Sequence, residues 1–331
     1  MQLLILGGTA WLGGHIAATA LERGHQVTCL ARGTSGAVPD GVAFIHADRS
    51  RPDAYDDAAH DDWDGIVDVS SQPGQVRNAT SAFRDRARNF IYISSCNVYA
   101  EHATPGQDED AALLPALVTE VSESWETYGQ AKVACEQHVL RAFGAGCSLI
   151  VRAGLIGGPG DLSHRTGYWP LRFARPSNNE ARVLVPDPFG LATQIIDVRD
   201  LARWIVESAC FSRSGTFNAM GETLPLGEYL ESARRVAGHS GPVVARSSEW
   251  LLAQGVNPWM GERSLPLWIP NPEYAGFSAR DCSAARAAGL TVRPVVETLA
   301  DTLAWELAPD RPAPRQAGLT DKDERALLAI D

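Results

Sequence analysis

Tyr128 stands four residues before Lys132 in "ETYGQAKVACEQ" (126–137), a stretch that otherwise reads as an ordinary surface helix. Residues i and i+4 share a helix face, so the phenol and the ammonium point the same way. A free phenol titrates near ~10 and is a poor proton carrier at neutral pH. A neighbouring positive charge favours the phenolate and makes such a tyrosine a usable acid or base. A third group of the right type lies upstream: "FIYISSCNVY" (90–99) reads as a strand ending in Ser94 and Ser95. A serine hydroxyl at the carboxyl end of a strand can hydrogen-bond a substrate carbonyl. A tyrosine and a lysine at this spacing also occur by chance, so the chemistry depends on the elements that bring the three groups together.

Those elements begin with "LLILGGTAWLGGHIAATALERGHQVTCLARG" (3–33): a strand, a glycine-rich turn, a helix opening near Leu12 and a second strand. Glycines are needed where backbone approaches a pyrophosphate, and a helix N-terminus offers N–H groups and a favourable dipole to the anion. The spacing Gly7-x-x-Ala10-x-x-Gly13 fits a dinucleotide turn in which Ala10 replaces the middle glycine. Gly7, Thr9, Ala10, Trp11, Leu12 and Gly13 are the expected cofactor contacts of this turn. A tight structural turn in an α/β protein is the bland alternative. An NAD-selective fold often carries an acid at the end of the second strand for the ribose 2′-hydroxyl. Here Ala31 and Arg32 stand there. A guanidinium grips a 2′-phosphate with paired hydrogen bonds, which favours NADP(H), with NAD(H) as the alternative. Asp48 and Arg49 of "ADRS" (47–50) would lie near the adenine edge.

The chain has 331 residues, enough for one large α/β unit and a smaller one. Strand-like runs at Leu3–Leu6, Val27–Leu30, 42–45, 65–69, 90–93 and 148–151 alternate with helical stretches. That rhythm predicts a parallel sheet covered on both faces, with right-handed crossovers and a crevice at the strands' carboxyl ends. The expected fold is a Rossmann-type doubly wound sheet over 1–156, completed by parts of 190–220. A smaller, mostly helical substrate lobe follows over 157–308, then a linker and short helix over 309–331. Residues 157–194 are rich in glycine, proline and aromatics with little periodicity. Asp197 is expected to cap one later helix, and another begins after Pro294. A net charge of −11 argues against a general nucleic-acid or anionic-membrane binder. No apolar run is long enough to span a bilayer. No basic segment precedes the first strand, so no leader is expected. The six cysteines are scattered without C-x-x-C, and the histidines without metal-ligand spacing. Buried free thiols, a cytoplasmic location and no metal are the expectations.

The pieces "GGTAWLGG", "YISSCNVY", "YGQAK" and "VRAGLIGGPGD", with "IIDVRDLA" and "GTFNAMGETLPLGEYL" later, resemble the extended or atypical branch of the short-chain dehydrogenase/reductase superfamily. The resemblance runs over most of residues 2–308. It implies that Ser95, Tyr128 and Lys132 fall on the catalytic positions and that Gly154 lies against the cofactor. It favours Ser95 because that residue stands three before Val98, with Ser94 as the alternative. Ala10, "DVSSQPGQ" (68–75) and Ala153 depart from the family pattern, and the asparagine common after the sixth strand of sugar-nucleotide enzymes is missing. Tyr168, Trp169, Gln194 and Trp268 are candidate pocket walls, with Arg165 and Arg172 as candidate anion contacts. For each, packing within the lobe is the competing account. An NADP(H)-dependent reductase of a small-molecule carbonyl is the leading reading. A sugar-nucleotide epimerase or dehydratase with transient hydride transfer is the alternative, and a non-catalytic cofactor sensor or RNA-binding relative the third. Relatives often dimerise through helices at about 74–87 and 123–143; the first has a poor apolar stripe here, which leaves monomer and homodimer both open.

Overall fold

A computed structural model describes residues 1–309 and 315–330. The first half runs β1 (Gln2–Leu6), α1 (Trp11–Glu22), β2 (Gln26–Ala31), β3 (Ala43–His46), β4 (Gly65–Asp68), α2 (Pro73–Phe83), β5 (Phe90–Ser95), α3 (Tyr128–Phe143) and β6 (Ser148–Ala153). The second runs β7 (Leu155–Gly157), α4 (Arg165–Ala174), β8 (Val183–Pro186), β9 (Ala192–Asp197), α5 (Val198–Cys210), β10 (Gly215–Ala219), β11 (Thr223–Pro225), α6 (Leu226–Val236), β12 (Val243–Arg246), α7 (Ser248–Ala253), α8 (Ser283–Ala287), α9 (Val295–Leu307) and α10 (Asp321–Leu328).

Seven strands form one sheet in the order β10-β6-β5-β4-β1-β2-β3, every pair parallel. Strands β4, β5 and β6 are buried along their whole length, which is why they read as unbroken apolar runs rather than alternating ones. Helices α1 and α5 pack on one face, where Ile5, Ile16, Ala20, Leu201 and Ile205 share a core. Helices α2 and α3 cover the other, around Leu4, Val76, Phe83, Tyr92 and Val139. The buried side of α3 also carries two charged residues, Lys132 and Glu136, both 3% exposed. Ionised groups are taken out of water at such cost that each must have partners. Their partners lie at the carboxyl edge of β5.

The remaining elements build a second core from Trp169, Phe173, Leu184, Tyr229, Leu265 and Trp268. Of the 190–220 stretch expected to complete the large sheet, β10 does so, whereas β9 pairs with β7 and β11 in a separate small sheet. Asp197 caps α5 by accepting from Arg199 N at 2.9 Å, and α9 opens directly after Pro294. Helix α4 lies in the stretch that showed no periodicity. Pro170 sits inside it and removes a backbone donor, which hides a helix from sequence patterning. Residues 310–314 of the expected linker lie outside the described residues; the expected short helix is α10, capped by Thr320, whose side chain accepts from Asp323 N.

Candidate active site

The glycine turn is built for a close approach. Gly7 takes φ +93°, a conformation L side chains avoid, and its N–H is tied to Leu30 O at 2.9 Å. A Cβ on Gly13 would stand 2.4 Å from Gly7 O, so only glycine lets α1 start this close to the turn. Ala10, in contrast, has φ −75° and ψ 157°, ordinary extended backbone that alanine accepts without strain. No side chain caps α1, which leaves its first amides directed outward. Beside them a cavity of about 140 Å³ extends from Gly7, Thr9 and Ala10 to Arg32. A glycine cradle, an uncapped helix end and a neighbouring cavity suit a dinucleotide, and the amides at the start of α1 are those that would meet its pyrophosphate.

Arg32 is exposed at the end of β2 and makes no hydrogen bond or ion pair among the described residues. Asp48 accepts from Ser50 N at 3.0 Å and from Ser50 Oγ at 2.8 Å. These bonds, the backbone one first, hold its carboxyl below the usual range despite slight desolvation, and Arg32 and Arg51 act in the same direction. Arg49 borders the cavity, but its fork is committed elsewhere: Nη1 and Nη2 donate to Asp68 at 2.8 and 2.6 Å, and Nε to Tyr55 Oη at 2.9 Å. It braces β3 against β4 rather than standing ready for a ligand.

At the sheet's carboxyl edge the two serines separate. Ser94 donates to Glu136 Oε1 at 2.5 Å, and Glu136 is gripped by Arg152 at 3.1 and 2.9 Å. That serine belongs to a buried ion-pair network. Ser95 accepts from Asn97 N at 3.2 Å and from Asn97 Nδ2 at 3.0 Å, so its own proton is left to donate. The start of α3 presses on the same turn: a Cβ on Gly129 would come within 2.2 Å of Asn97 O. This contact sets Tyr128 beside the Ser95 turn. One helical turn on, Lys132 Nζ donates to Ile93 O at 2.7 Å and Ser70 O at 2.9 Å. It lies 5.8 Å from the centroid of the Tyr128 ring. Two of its three N–H groups are thereby placed, and the third remains for a ligand. Ala153, in register with Ser95 and Ala219, and Gly154, whose missing Cβ lets Met220 approach, complete this edge.

The expected pocket walls lie elsewhere. Tyr168 and Trp169 are buried in the second core, where Trp169 Nε1 donates to Pro266 O at 2.7 Å. Trp268 is fully buried and bonded to Ser248 Oγ. Gln194 staples backbone, with Nε2 on Gly221 O and Arg280 O and Oε1 taking Arg280 N. Arg172 anchors α10 through Asp321, Glu324 and Leu319 O. Arg165, at the first position of α4, instead lays its guanidinium 4.9 Å over the Trp259 ring. Sequence reasoning missed several neighbours. Trp125 is 74% exposed and lies 4.8 Å from the Tyr128 ring. Asn97 holds Ser95. Trp259, Phe277 and Arg280 come from far along the chain. Asn97 was legible as a local bonding residue two after a strand-end serine; the others carry no periodic signal.

A doubly wound sheet with this glycine turn and a serine, tyrosine and lysine at its carboxyl edge defines a nicotinamide-dinucleotide enzyme fold. The chain belongs to the NAD dependent epimerase/dehydratase family, whose model matches residues 3–216. It is an NAD(P)-dependent enzyme, an oxidoreductase or an epimerase, which sets aside the non-catalytic alternative. It is 24% identical over 270 residues to the 2'-dehydrokanamycin reductase of Streptomyces kanamyceticus, covering 77% of this chain and 72% of that one. In fold it is similar to UDP-N-acetylglucosamine 4-epimerase from Bacillus cereus, with TM-score 0.67, 16% identity and coverage of 94% and 99% of the two chains. The Bordetella bronchiseptica enzyme WbmH in complex with NAD+ gives TM-score 0.66 at 17% identity, covering 92% and 97%. Among the described residues no helix is long and apolar enough to cross a membrane, and no cluster of His, Cys, Asp or Glu could hold a metal.

Proposed function

We propose that this chain is an NADP(H)-dependent reductase acting on a carbonyl of a small molecule. The observation that carries the reading is the placing of Lys132: a buried ammonium, held by two backbone carbonyls, alongside the ring of an otherwise uncommitted tyrosine. The glycine turn, the α1 amides and Lys132 would hold the cofactor, which would supply the hydride for the carbonyl carbon. Ser95 donates to the carbonyl oxygen and orients it. Tyr128 delivers the proton that this oxygen takes up as it becomes a hydroxyl, and Lys132 stabilises the phenolate left behind. Arg32 selects the 2′-phosphate. A reductase among the relatives supports net reduction. The free state of all six cysteines supports a cytoplasmic setting, although Cys147 and Cys210 are exposed rather than buried.

The family and the epimerase neighbours also support a second reading, in which the cofactor stays bound and the hydride returns to the substrate. The experiment that divides them incubates the chain with NADPH and a panel of small ketones and aldehydes, and follows absorbance and product together. Reduction consumes one NADPH for each alcohol formed. A cofactor that copurifies with the chain, with isomerised product and no net NADPH loss, would establish the epimerase reading instead.

A further inference from the structure

Two arginines stand at this site without a carboxylate in ion-pair range among the described residues. Arg280 is spent: its Nη1 donates to Gln107, and its Nη2 to Glu101 O and His102 Nδ1. Arg165 differs. Its Nε donates to Ser163 Oγ at 3.1 Å, and its planar group rests on the Trp259 ring, while both terminal nitrogens have no hydrogen-bond partner among the described residues. The nearest acid, Asp161, is already engaged by Ser163 N and Thr166 Oγ1, each at 2.9 Å. Burial pulls the Arg165 pKa down further than Asp161, Cys96 and Tyr128 together raise it. Its stacking partner leads to the Ser95 turn: Trp259 packs on Phe277, and Phe277 packs with Cys96, the neighbour of Ser95.

The backbone on both sides of this cation is held in unfavourable conformations. His164, immediately before Arg165, takes φ +58°. Trp259 takes φ +68° inside a three-residue turn closed by Met260 N on Pro258 O at 2.8 Å. That turn is the rare strained form, and a bulky residue at positive φ is an outlier that only surrounding structure can hold. Trp259 is in turn held edge-on by Phe277 at 5.4 Å, and Phe277 packs against the cluster of Cys96, Val98 and Tyr99. These two positive-φ positions hold the guanidinium on the Trp259 ring, which packs through Phe277 toward the turn after Ser95, in a chain whose net charge is −11.

We infer that the substrate carries one carboxylate besides its reacting carbonyl, and that Arg165 receives it through its two terminal nitrogens. This rests on the reductase reading of the same site. A planar fork matches a carboxylate in two parallel bonds. With Arg280 committed, Arg165 is the free fork on this side of the site among the described residues, which suits a compact monoanion.

The test uses the full chain saturated with NADP+ and reads binding by calorimetry, with tryptophan quenching as a second signal. The probes are 4-carboxybenzaldehyde and its neutral counterpart 4-formylbenzamide. The carboxylate should bind roughly ten- to a hundredfold more tightly, the range for hydrogen bonds to a charged group. Arg165→Gln should bring the two affinities together and leave the amide unchanged, which also shows that the variant is folded. Arg165→Lys should fall between. Equal binding of the two probes, no binding of either, or a preference that survives in Arg165→Gln overturns the inference. Tighter binding of 4-formylphenyl phosphate than of the carboxylate overturns the assignment to a carboxylate. Binding and turnover separate the two claims. An Arg165-dependent preference without reduction of any carbonyl keeps the anion site and removes the reductase. Equal reduction of both aldehydes with equal binding keeps the reductase and removes the anion site.

Discussion

Replacing Arg32 by alanine tests how the chain chooses its cofactor. Arg32 is exposed and makes no hydrogen bond or ion pair among the described residues, so its loss costs the fold little. A guanidinium on a 2′-phosphate contributes ~1.5–3 kcal/mol, or roughly ten- to a hundredfold in affinity. Exposure puts the value toward the lower end, and salt should shrink it, since screening at physiological ionic strength acts over ~8 Å. Asp48 works against Arg32. Ser50 keeps its carboxyl below the usual range, so it is ionised at neutral pH and repels a phosphate nearby. Asp48→Asn should therefore tighten NADPH and leave NADH unchanged, while Arg32→Ala weakens NADPH alone. Titration of both cofactors against the parent and the two variants, at low and high salt, reads the ratio of dissociation constants directly. Equal affinities in the parent would refute the reasoning. So would an Arg32→Ala protein that loses NADH as strongly as NADPH, because the arginine would then hold something common to both.

The serines should respond in opposite ways. Ser94→Ala removes a buried bond to an ionised carboxylate and should cost ~1.5–3 kcal/mol of stability, seen as an earlier denaturation midpoint, with turnover nearly kept. Ser95→Ala should leave the midpoint in place and lower turnover by ~10²–10³, the range for losing one donor to a reacting oxygen. His102 sets an acid limit on stability. Burial first, then Arg280, lowers its pKa from 6.5 to about 4. The unfolded chain binds this proton and the folded one does not between those values, so the contribution is full above pH 6.5 and is lost as pH falls toward 4. His102→Gln should flatten that limb of the stability profile.

The sheet and the site were legible to different depths. The parallel sheet could be read because its strands are buried on both faces and its turns carry glycine. The Tyr128/Lys132 pair could be read because both lie on one helix within a single turn. The resemblance favoured Ser95 by its place three residues before Val98 and left Ser94 as the alternative; what occupies Ser94 is Glu136, which the same helical spacing brings one turn beyond Lys132. The second lobe was poorly legible. Tyr168 and Trp169 are amphipathic aromatics equally at home in a pocket or a core, and only the fold shows that α4 turns them inward. Arg165 and Arg172 have identical chemistry in the sequence. One ends among the carboxylates of α10 and the other on the Trp259 ring, a difference made by contacts distant along the chain.

The account rests on Tyr128 as the proton donor, and the direct measurement is single-turnover reduction of a responsive carbonyl by NADPH-saturated parent and Tyr128→Phe protein. The substitution removes one oxygen and keeps the ring against Trp125, so folding and NADPH affinity should persist. The rate should fall by about 10²–10⁴-fold, as for loss of a general acid. A Tyr128→Phe protein that binds NADPH normally and reduces the carbonyl at the parent's rate would contradict the account.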